Sequence, residues 1–219
     1  MNLENENMKK NIFGCLHKTK KILYIANHKA ACTTLAKTLA KYGYTNRGTF
    51  EVNISKLNYV FTFVRNPYER LVSRYVHMKS FFIEEKDRPQ SLIVGHAVEP
   101  SLKKYFDYHN IEFTEDNFTF PRFVKFAQKN SDMHWESQID KFERQVISLD
   151  NIDFIGKVEN LQEDFNIVCD KIGIPQQQLP HKNKSKHKHY TEYYDDETKQ
   201  IVAEKYAKDI EYFGYKFGE

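Results

Sequence analysis

The stretch Asn58-Tyr-Val-Phe-Thr-Phe-Val-Arg-Asn-Pro-Tyr-Glu-Arg-Leu-Val-Ser-Arg-Tyr75 decides the fold. Its first seven residues, up to Val64, are mostly β-branched or aromatic, which predicts a buried strand. Pro67 suits the first position of a helix because its missing N–H would have no partner there, and Asn66 is a suitable N-cap. The stretch therefore predicts a strand that runs directly into a helix.

A second strand-to-helix turn lies earlier in the chain. Lys21-Ile-Leu-Tyr-Ile-Ala26 is a short apolar run bounded by charge, which is typical of a buried strand. A polar loop follows, and apolar residues from Ala31 to Tyr42 then recur at helical spacing. Such turns hold anions in α/β proteins because the N–H groups of the first helical turn point there. Two of them suggest a ligand with two separate anionic ends.

Further segments extend this alternation of strands and helices. They are strands over 145–149 and 152–155 and helices over 121–128, 160–173 (opened by a capping box of Asn160 and Glu163) and 195–214. The alternation predicts an α/β fold in which a central, mostly parallel sheet is flanked by helices in three layers. We expect residues 1–20 to form a polar N-terminal tail and residues 21–219 a single domain, with 84–116 as a variable excursion that, by the family resemblance described below, would lie on the acceptor side.

The composition excludes several classes of protein. Hydrophobic residues make up 40% of the chain and aromatic residues 15%, which is enough for a core and argues against disorder of the whole chain. The net charge of +3 is too small for a general nucleic-acid coat, so no nucleic acid is expected as a partner. No apolar run reaches the ~18 residues of a membrane span.

The cysteines and the N-terminus bear on the cellular compartment. Cys15, Cys32 and Cys169 are odd in number and widely spaced, which argues against a disulfide framework or a zinc site. The first ten residues contain no apolar segment, so no signal peptide is expected. Both observations favour the cytoplasm.

The first turn has the position of a nucleotide P-loop but not its composition. A Walker A loop needs glycines that let the backbone wrap around phosphates, and residues 27–34 contain none. Lys29 can still supply a positive charge, and Thr33 and Thr34 can supply hydroxyl donors. Taken alone, these residues are equally compatible with an ordinary turn that carries a surface lysine.

The second turn carries an arginine and a serine that can bind the same anion. Arg65 closes the strand, and its planar guanidinium can hold a phosphate through two hydrogen bonds. Ser73 lies two helical turns further on, on the polar face of its helix. An ion pair between Arg65 and Glu69, with Ser73 facing solvent, explains the same residues without any ligand.

Together, the two turns resemble the signature of sulfotransferases, most closely the carbohydrate branch that includes the chondroitin enzymes. Lys29-Ala-Ala-Cys-Thr-Thr34 is similar to the family's P-K-x-x-C-T-[NS] loop, and the segment from Arg65 to Ser73 to its R-[DN]-P-[FY]-x-R-[LF]-x-S motif. His134-Trp-Glu-Ser-Gln138 is similar to H-W-x-P-Q, and residues 153–161 to D-F-I-G-K-x-E-x-L. His28 stands where the family has proline.

The resemblance implies a P-loop NTPase-like fold. It also implies transfer of a sulfuryl group from PAPS (3′-phosphoadenosine 5′-phosphosulfate) to a hydroxyl of a carbohydrate or glycan, without a metal. Arg65 and Ser73 would bind the 3′-phosphate of PAPS. The basic loop 181–189 is either solvated or folded over the nucleotide, where Ser185 and Lys186 would contact the 3′-phosphate. The residues implied for the 5′-phosphosulfate are Lys29, Ala30, Ala31, Cys32, Thr33 and Thr34.

The catalytic groups implied by this chemistry are a cation and a base. Lys29 would stabilise the leaving phosphate oxygen, and a general base must take the proton from the acceptor hydroxyl. His134 lies in a matched segment, although beside Trp135 it can be purely structural. Glu51 lies between the two cofactor motifs, where some sulfotransferases place their base.

Two other functions stay open at the level of the sequence. One is a P-loop kinase-like phosphotransferase that uses ATP and Mg²⁺, against which the missing glycine loop speaks. The other is a non-catalytic module that binds glycan or nucleic acid. The sequence gives neither the acceptor nor the oligomeric state.

Overall fold

The computed structural model describes residues 9–84, 99–146, 148–180 and 188–219. By its contacts the chain divides into two compact units. We call residues 1–66 with 137–184 the sheet unit, and residues 67–136 with 185–219 the helical unit.

A five-stranded sheet lies entirely in the sheet unit, in the order β3-β1-β2-β4-β5. Strands β2, β4 and β5 are parallel to one another, whereas β1 is antiparallel to both β2 and β3. The sheet is therefore mixed: β2, β4 and β5 form the parallel part that the sequence predicted, and β1 and β3 add an antiparallel part. The strands are β1 (Lys9–His17), β2 (Ile22–Ile25), β3 (Gly48–Asn53), β4 (Tyr59–Val64) and β5 (Phe154–Lys157).

Both units contain helices. α1, α5 and α6 belong to the sheet unit and the others to the helical unit. Among the described residues, no helix is both long enough and apolar enough to cross a membrane. The helices are α1 (Cys32–Ala40), α2 (Pro67–Glu84), α3 (Glu99–Tyr108), α4 (Phe120–Lys129), α5 (Gln138–Val146), α6 (Leu161–Ile172), α7 (Asp196–Lys205) and α8 (Ala207–Phe213).

The two strands predicted first, β2 and β4, form the buried centre of the sheet. Alternate side chains such as Tyr24 and Phe61 pack with α1 and α6 on one face. The residues between them, such as Leu23 and Val60, point to the opposite face and are buried as well. Burial on both faces explains why these strands are continuous apolar runs.

Strand β1 corrects the prediction of a polar tail over residues 1–20. Its described part pairs with β2 along one edge and with β3 along the other. Ile12 and Cys15 are fully buried, but the strand also carries lysines and an asparagine. Because only some positions of β1 face the core, its polar residues interrupt the apolar pattern by which a strand is recognised in a sequence.

Three local predictions were wrong. Of the strand expected over 145–149, Gln145 and Val146 instead end α5, where Ile139, Phe142 and Val146 recur on one buried helical face, and Leu149 begins a short 3-10 helix. The capping box expected at α6 does not form, because the Asn160 side chain makes no capping hydrogen bond. The last helix is divided into α7 and α8 at Tyr206, whose backbone is not helical.

The helical unit has a core dominated by aromatic side chains. Rings of α2, α4 and the segments next to them meet edge to face, as for Tyr75 with Phe120 and for Phe123 with Trp135. Two arginines of α2, Arg70 and Arg74, are buried in the same unit. The helices expected to begin at Pro67 and near Pro121 are confirmed.

Candidate functional site

The loop between β2 and α1 has an unusual backbone. Lys29 (φ 65°) and Ala31 (φ 56°) both adopt the left-handed conformation, although neither is a glycine. Each such residue costs about 1–3 kcal/mol and persists only where the surrounding structure holds it. Strained backbone of this kind clusters at binding sites.

The first turn of α1 presents N–H groups that the helix itself does not use. The helical hydrogen bonds begin where Leu35 N–H donates to Ala31 O at 3.1 Å, and no side chain caps the turn. The turn contains no acidic residue. Thr33 is exposed there, and Thr34 is buried. Backbone N–H groups, a hydroxyl and the neighbouring Lys29 are donors suited to an anion.

The two predicted turns lie side by side. β2 and β4 are parallel neighbours, with Ile25 opposite Thr62, so the loops that follow them leave the same edge of the sheet. Arg65, which directly follows β4, donates from Nη1 to the Lys29 carbonyl oxygen at 3.3 Å. The structure therefore brings Arg65 against the Lys29 loop, as the two-turn prediction requires.

Gln138 connects the ends of the two strands. Its side chain is fully buried, and its Oε1 accepts from Asn27 Nδ2 at 2.8 Å and from the Arg65 backbone N–H at 3.0 Å. Its Nε2 donates to the Arg65 carbonyl oxygen at 2.9 Å. Asn27 Nδ2 also donates to Phe63 O at 3.1 Å. One amide thus holds the start of both loops.

Arg47, just before β3, is a site residue that the sequence did not reveal. Its Nη1 donates to Thr33 Oγ1 at 3.1 Å and to Cys32 Sγ at 3.1 Å. The guanidinium carbon also lies 5.7 Å from the centroid of the Phe13 ring. The side chain is isolated in the sequence, and only the folding of β1 and β3 brings it to α1.

Lys141 is a second cation that sequence reasoning missed. The residue is only 2% exposed, and its Nζ lies 3.3 Å from Ala26 O and 3.0 Å from His28 Nδ1. The His28 ring stacks on Phe13 at a centroid distance of 4.9 Å. A signal existed, because Lys141 follows Gln138 by three residues and shares its helical face.

Two further predicted residues, Ser73 and His134, lie in the helical unit. Ser73 is half-buried on α2. His134 Nδ1 lies 2.5 Å from Asp132 Oδ1, and the His134 backbone N–H donates to the same oxygen at 2.9 Å. Burial acts to raise the pKa of Asp132, but its hydrogen bonds from His134 outweigh burial, so the pKa lies below its ordinary value.

Two buried arginines of α2 support the segment that carries His134. Arg70 Nη1 donates to Glu136 O at 2.7 Å. The Arg74 guanidinium lies 5.8 Å from the centroid of the Trp135 ring, and burial lowers the pKa of Arg74 to about 10 although the nearby Asp132 acts against this. The segment is therefore anchored to α2 at Trp135 and at Glu136.

Several predicted site residues are not brought together by a described contact. Glu51 is exposed on β3, where its carboxylate pairs with Lys9 Nζ at 3.2 Å. Ser185 and Lys186 lie outside the described residues. Within the described ranges, no group of three or more His, Cys, Asp or Glu side chains is placed to hold a metal ion. The roles predicted for Glu51, His134 and Ser73 stay predictions.

Comparison with known proteins gives a consistent result. A model described as "Sulfotransferase family" matches residues 10–216 of the chain. Carbohydrate sulfotransferase 9 of Homo sapiens is 30% identical over 158 residues, which are 68% of this chain and 32% of that protein. The chain thus spans about a third of that relative's length.

A second relative comes from an archaeon. An uncharacterized protein of Archaeoglobus fulgidus is 30% identical over 118 residues, which are 54% of this chain and 70% of that protein. No solved structure matches the chain.

Proposed function

Because the chain belongs to the sulfotransferase family, we propose that it transfers a sulfuryl group from PAPS to a hydroxyl of a carbohydrate or glycan. The observation that carries this proposal is the meeting of the two turns, where Arg65 Nη1 donates to the carbonyl oxygen of Lys29 at 3.3 Å. The three-layer, P-loop NTPase-like arrangement is part of the same proposal. It is supported by parallel β2 and β4, each of which is followed by a helix.

The residues of the sheet unit fit the chemistry of such a donor. PAPS carries an activated sulfuryl group at its 5′ end and phosphates at both ends. The uncapped first turn of α1 offers N–H groups, the exposed Thr33 offers a hydroxyl, and the turn has no carboxylate to repel an anion. Lys29 adds a point charge and Arg65 a planar fork of donors.

In the proposed mechanism each group of the chain has one task. Lys29 and the N–H groups of α1 stabilise negative charge on the leaving phosphate oxygen, and they act most strongly if little water reaches them. His134 takes the proton from the acceptor hydroxyl through Nε2, since its Nδ1–H is directed at Asp132. Asp132 thereby sets the tautomer and the orientation of the ring.

The acceptor and the compartment are also proposals. A carbohydrate acceptor is supported by the name of the human relative, carbohydrate sulfotransferase 9. A cytoplasmic location is supported by the cysteines, since all three are free thiols in buried positions.

Ligand-dependent unfolding tests the donor. We expect PAP, the desulfated product of PAPS, at about 100 times its Kd to stabilise the protein by about 2.7 kcal/mol, which raises the Tm by about 5–10 °C. Arg65→Ala should abolish most of this shift, whereas Arg144→Ala, which removes an exposed arginine of α5, should not. Transfer of ³⁵S-labelled sulfate from PAPS to a panel of glycans then identifies the acceptor.

The same measurement separates the proposal from its rivals. Stabilisation by ATP with Mg²⁺, but not by PAP, would replace sulfuryl transfer by phosphoryl transfer. Stabilisation by RNA alone, or by glycan without any transfer of label, would indicate a binding module.

A further inference from the structure

Resting on this proposed function, we propose that Arg47 is an additional donor-binding residue, which adds a guanidinium at the 5′ end of the nucleotide. Its position is defined by two contacts at 3.1 Å with the first turn of α1, to Thr33 Oγ1 and Cys32 Sγ. The ligand class is a nucleotide with a 5′-phosphate or 5′-phosphosulfate.

The contact with Thr33 prepares that hydroxyl for an anion. A threonine hydroxyl has one hydrogen to donate and can also accept. Because Thr33 Oγ1 accepts from Arg47 Nη1, its own hydrogen is directed elsewhere. The exposed side of the turn therefore combines a hydroxyl donor with the remaining N–H groups of the guanidinium.

Among the described residues the guanidinium is held by two hydrogen bonds and one aromatic ring rather than by a carboxylate. In the described part of the chain, its contacts are with Thr33, Cys32 and the ring of Phe13. That ring stacks on His28 with an interplanar angle of 9°. An arginine fixed by one ring, a thiol and a hydroxyl keeps its charge available for a ligand, whereas a carboxylate partner would already compensate it.

Arginine and lysine contribute differently at this end of the site. Lys29 is a compact point charge on a flexible stem, but the Arg47 fork can bind two oxygen atoms of one phosphate or sulfate group. A fork placed beside Thr33 therefore adds affinity for the 5′ group and none for a 3′-phosphate.

Calorimetric titration with three nucleotides tests this assignment. PAP carries both phosphates, adenosine 5′-monophosphate only the 5′ group, and adenosine 3′-monophosphate only the 3′ group. We expect Arg47→Met to weaken binding of the first two about tenfold or more, the usual effect of losing a charged hydrogen bond, and to leave the third unchanged. Arg47→Lys should give an intermediate loss, because it keeps the charge without the fork.

A matched control measures the general effect of charge. Lys37→Met removes an exposed positive charge from the same helix α1, away from its first turn, and should change all three affinities by less than about twofold. Thermal unfolding without ligand checks that each variant is folded. If Arg47→Met does not fold, the comparison of Arg47→Lys with the original protein decides.

The outcomes distinguish this inference from the proposed function. If the original protein binds PAP and Arg47→Met binds it equally well, the inference is overturned and the proposed function stands. An equal loss of 5′- and 3′-monophosphate binding would show that Arg47 acts on the fold, which also overturns it. If the original protein binds no PAP, the proposed function fails first.

Discussion

Replacing Gln138 by alanine tests how the two turns are held together. The change removes at least three hydrogen bonds of a fully buried amide: one from Asn27 Nδ2, one from the Arg65 N–H and one to the Arg65 carbonyl oxygen. Each is worth about 0.5–1.5 kcal/mol net, so together they contribute about 2–4 kcal/mol to the free energy of unfolding. For a chain of this length, that lowers the Tm by about 4–16 °C.

A second glutamine of α5 provides the control. Gln145 has the same chemistry, lies two helical turns further along and is 7% exposed, but its Oε1 accepts one hydrogen bond, from the Phe13 N–H at 3.2 Å. Gln145→Ala should therefore lower the free energy of unfolding by about 1 kcal/mol. Urea unfolding followed by circular dichroism measures both variants, and calorimetry measures their affinity for PAP.

The affinity measurement separates local from general destabilisation. Because Gln138 positions the backbone of Arg65 and the side chain of Asn27, its loss should weaken PAP binding even in solutions where the variant is fully folded. Gln145→Ala should bind PAP normally. Equal losses of stability in the two variants, with unchanged PAP affinity in both, would refute the idea that this amide joins the turns.

Three further predictions concern other parts of the chain. Asp132→Asn should lower kcat about tenfold to a hundredfold without changing PAP affinity, because His134 loses the partner that orients it, and an unchanged kcat would exclude this role. Folding lowers the pKa of Asp132, so the stability that Asp132 contributes is present above its unfolded pKa and is lost as the pH falls through its folded pKa. Urea unfolding of the variant should therefore lack this loss of stability in acid. Gly14→Ala should destabilise the protein by about 3 kcal/mol in urea unfolding, because an added Cβ would lie 2.0 Å from the carbonyl oxygen of Tyr24. A free energy of unfolding within about 0.5 kcal/mol of the original would contradict this packing. Burial raises the pKa of Cys15 to about 11, so a thiol reagent should modify it slowly in the native protein and rapidly after denaturation. Mass spectrometry of the labelled peptide measures both rates, and prompt labelling of the native protein would contradict the burial of Cys15.

The elements that could be predicted are those with a strong local signal. β2 and β4 are continuous apolar runs because they are buried on both faces, and Pro67 marks the start of α2 in its own sequence neighbourhood. β1 could not be predicted in the same way. β1 pairs with two antiparallel strands and is partly exposed to solvent. Which of its residues are buried therefore depends on β2 and β3, and not on a local pattern in the sequence.

The residues of the candidate site also differ in whether a local sequence pattern could identify them. Arg65 directly follows β4 and Lys29 lies in the loop just after β2, so a local pattern could identify them, and the contact between them supports that pattern. Arg47 could not be found, since no motif surrounds it and it reaches Thr33 only through the tertiary fold. The sequence identified Gln138 only as one position of a motif. Its role in joining the two loops depends on hydrogen-bond partners 73 and 111 residues away.

The arrangement of charge, rather than its amount, makes this site suited to an anion. The whole chain carries a net charge of only +3, yet Arg47 contacts the first turn of α1, Arg65 contacts the Lys29 carbonyl oxygen just before it, and that turn has no acidic residue. The left-handed residues Lys29 and Ala31 cost about 1–3 kcal/mol each, so the loop is held in this conformation at the expense of stability. If the loop binds an anion as proposed, the bound ligand would return part of that free energy, which is how a binding site is expected to trade stability for function.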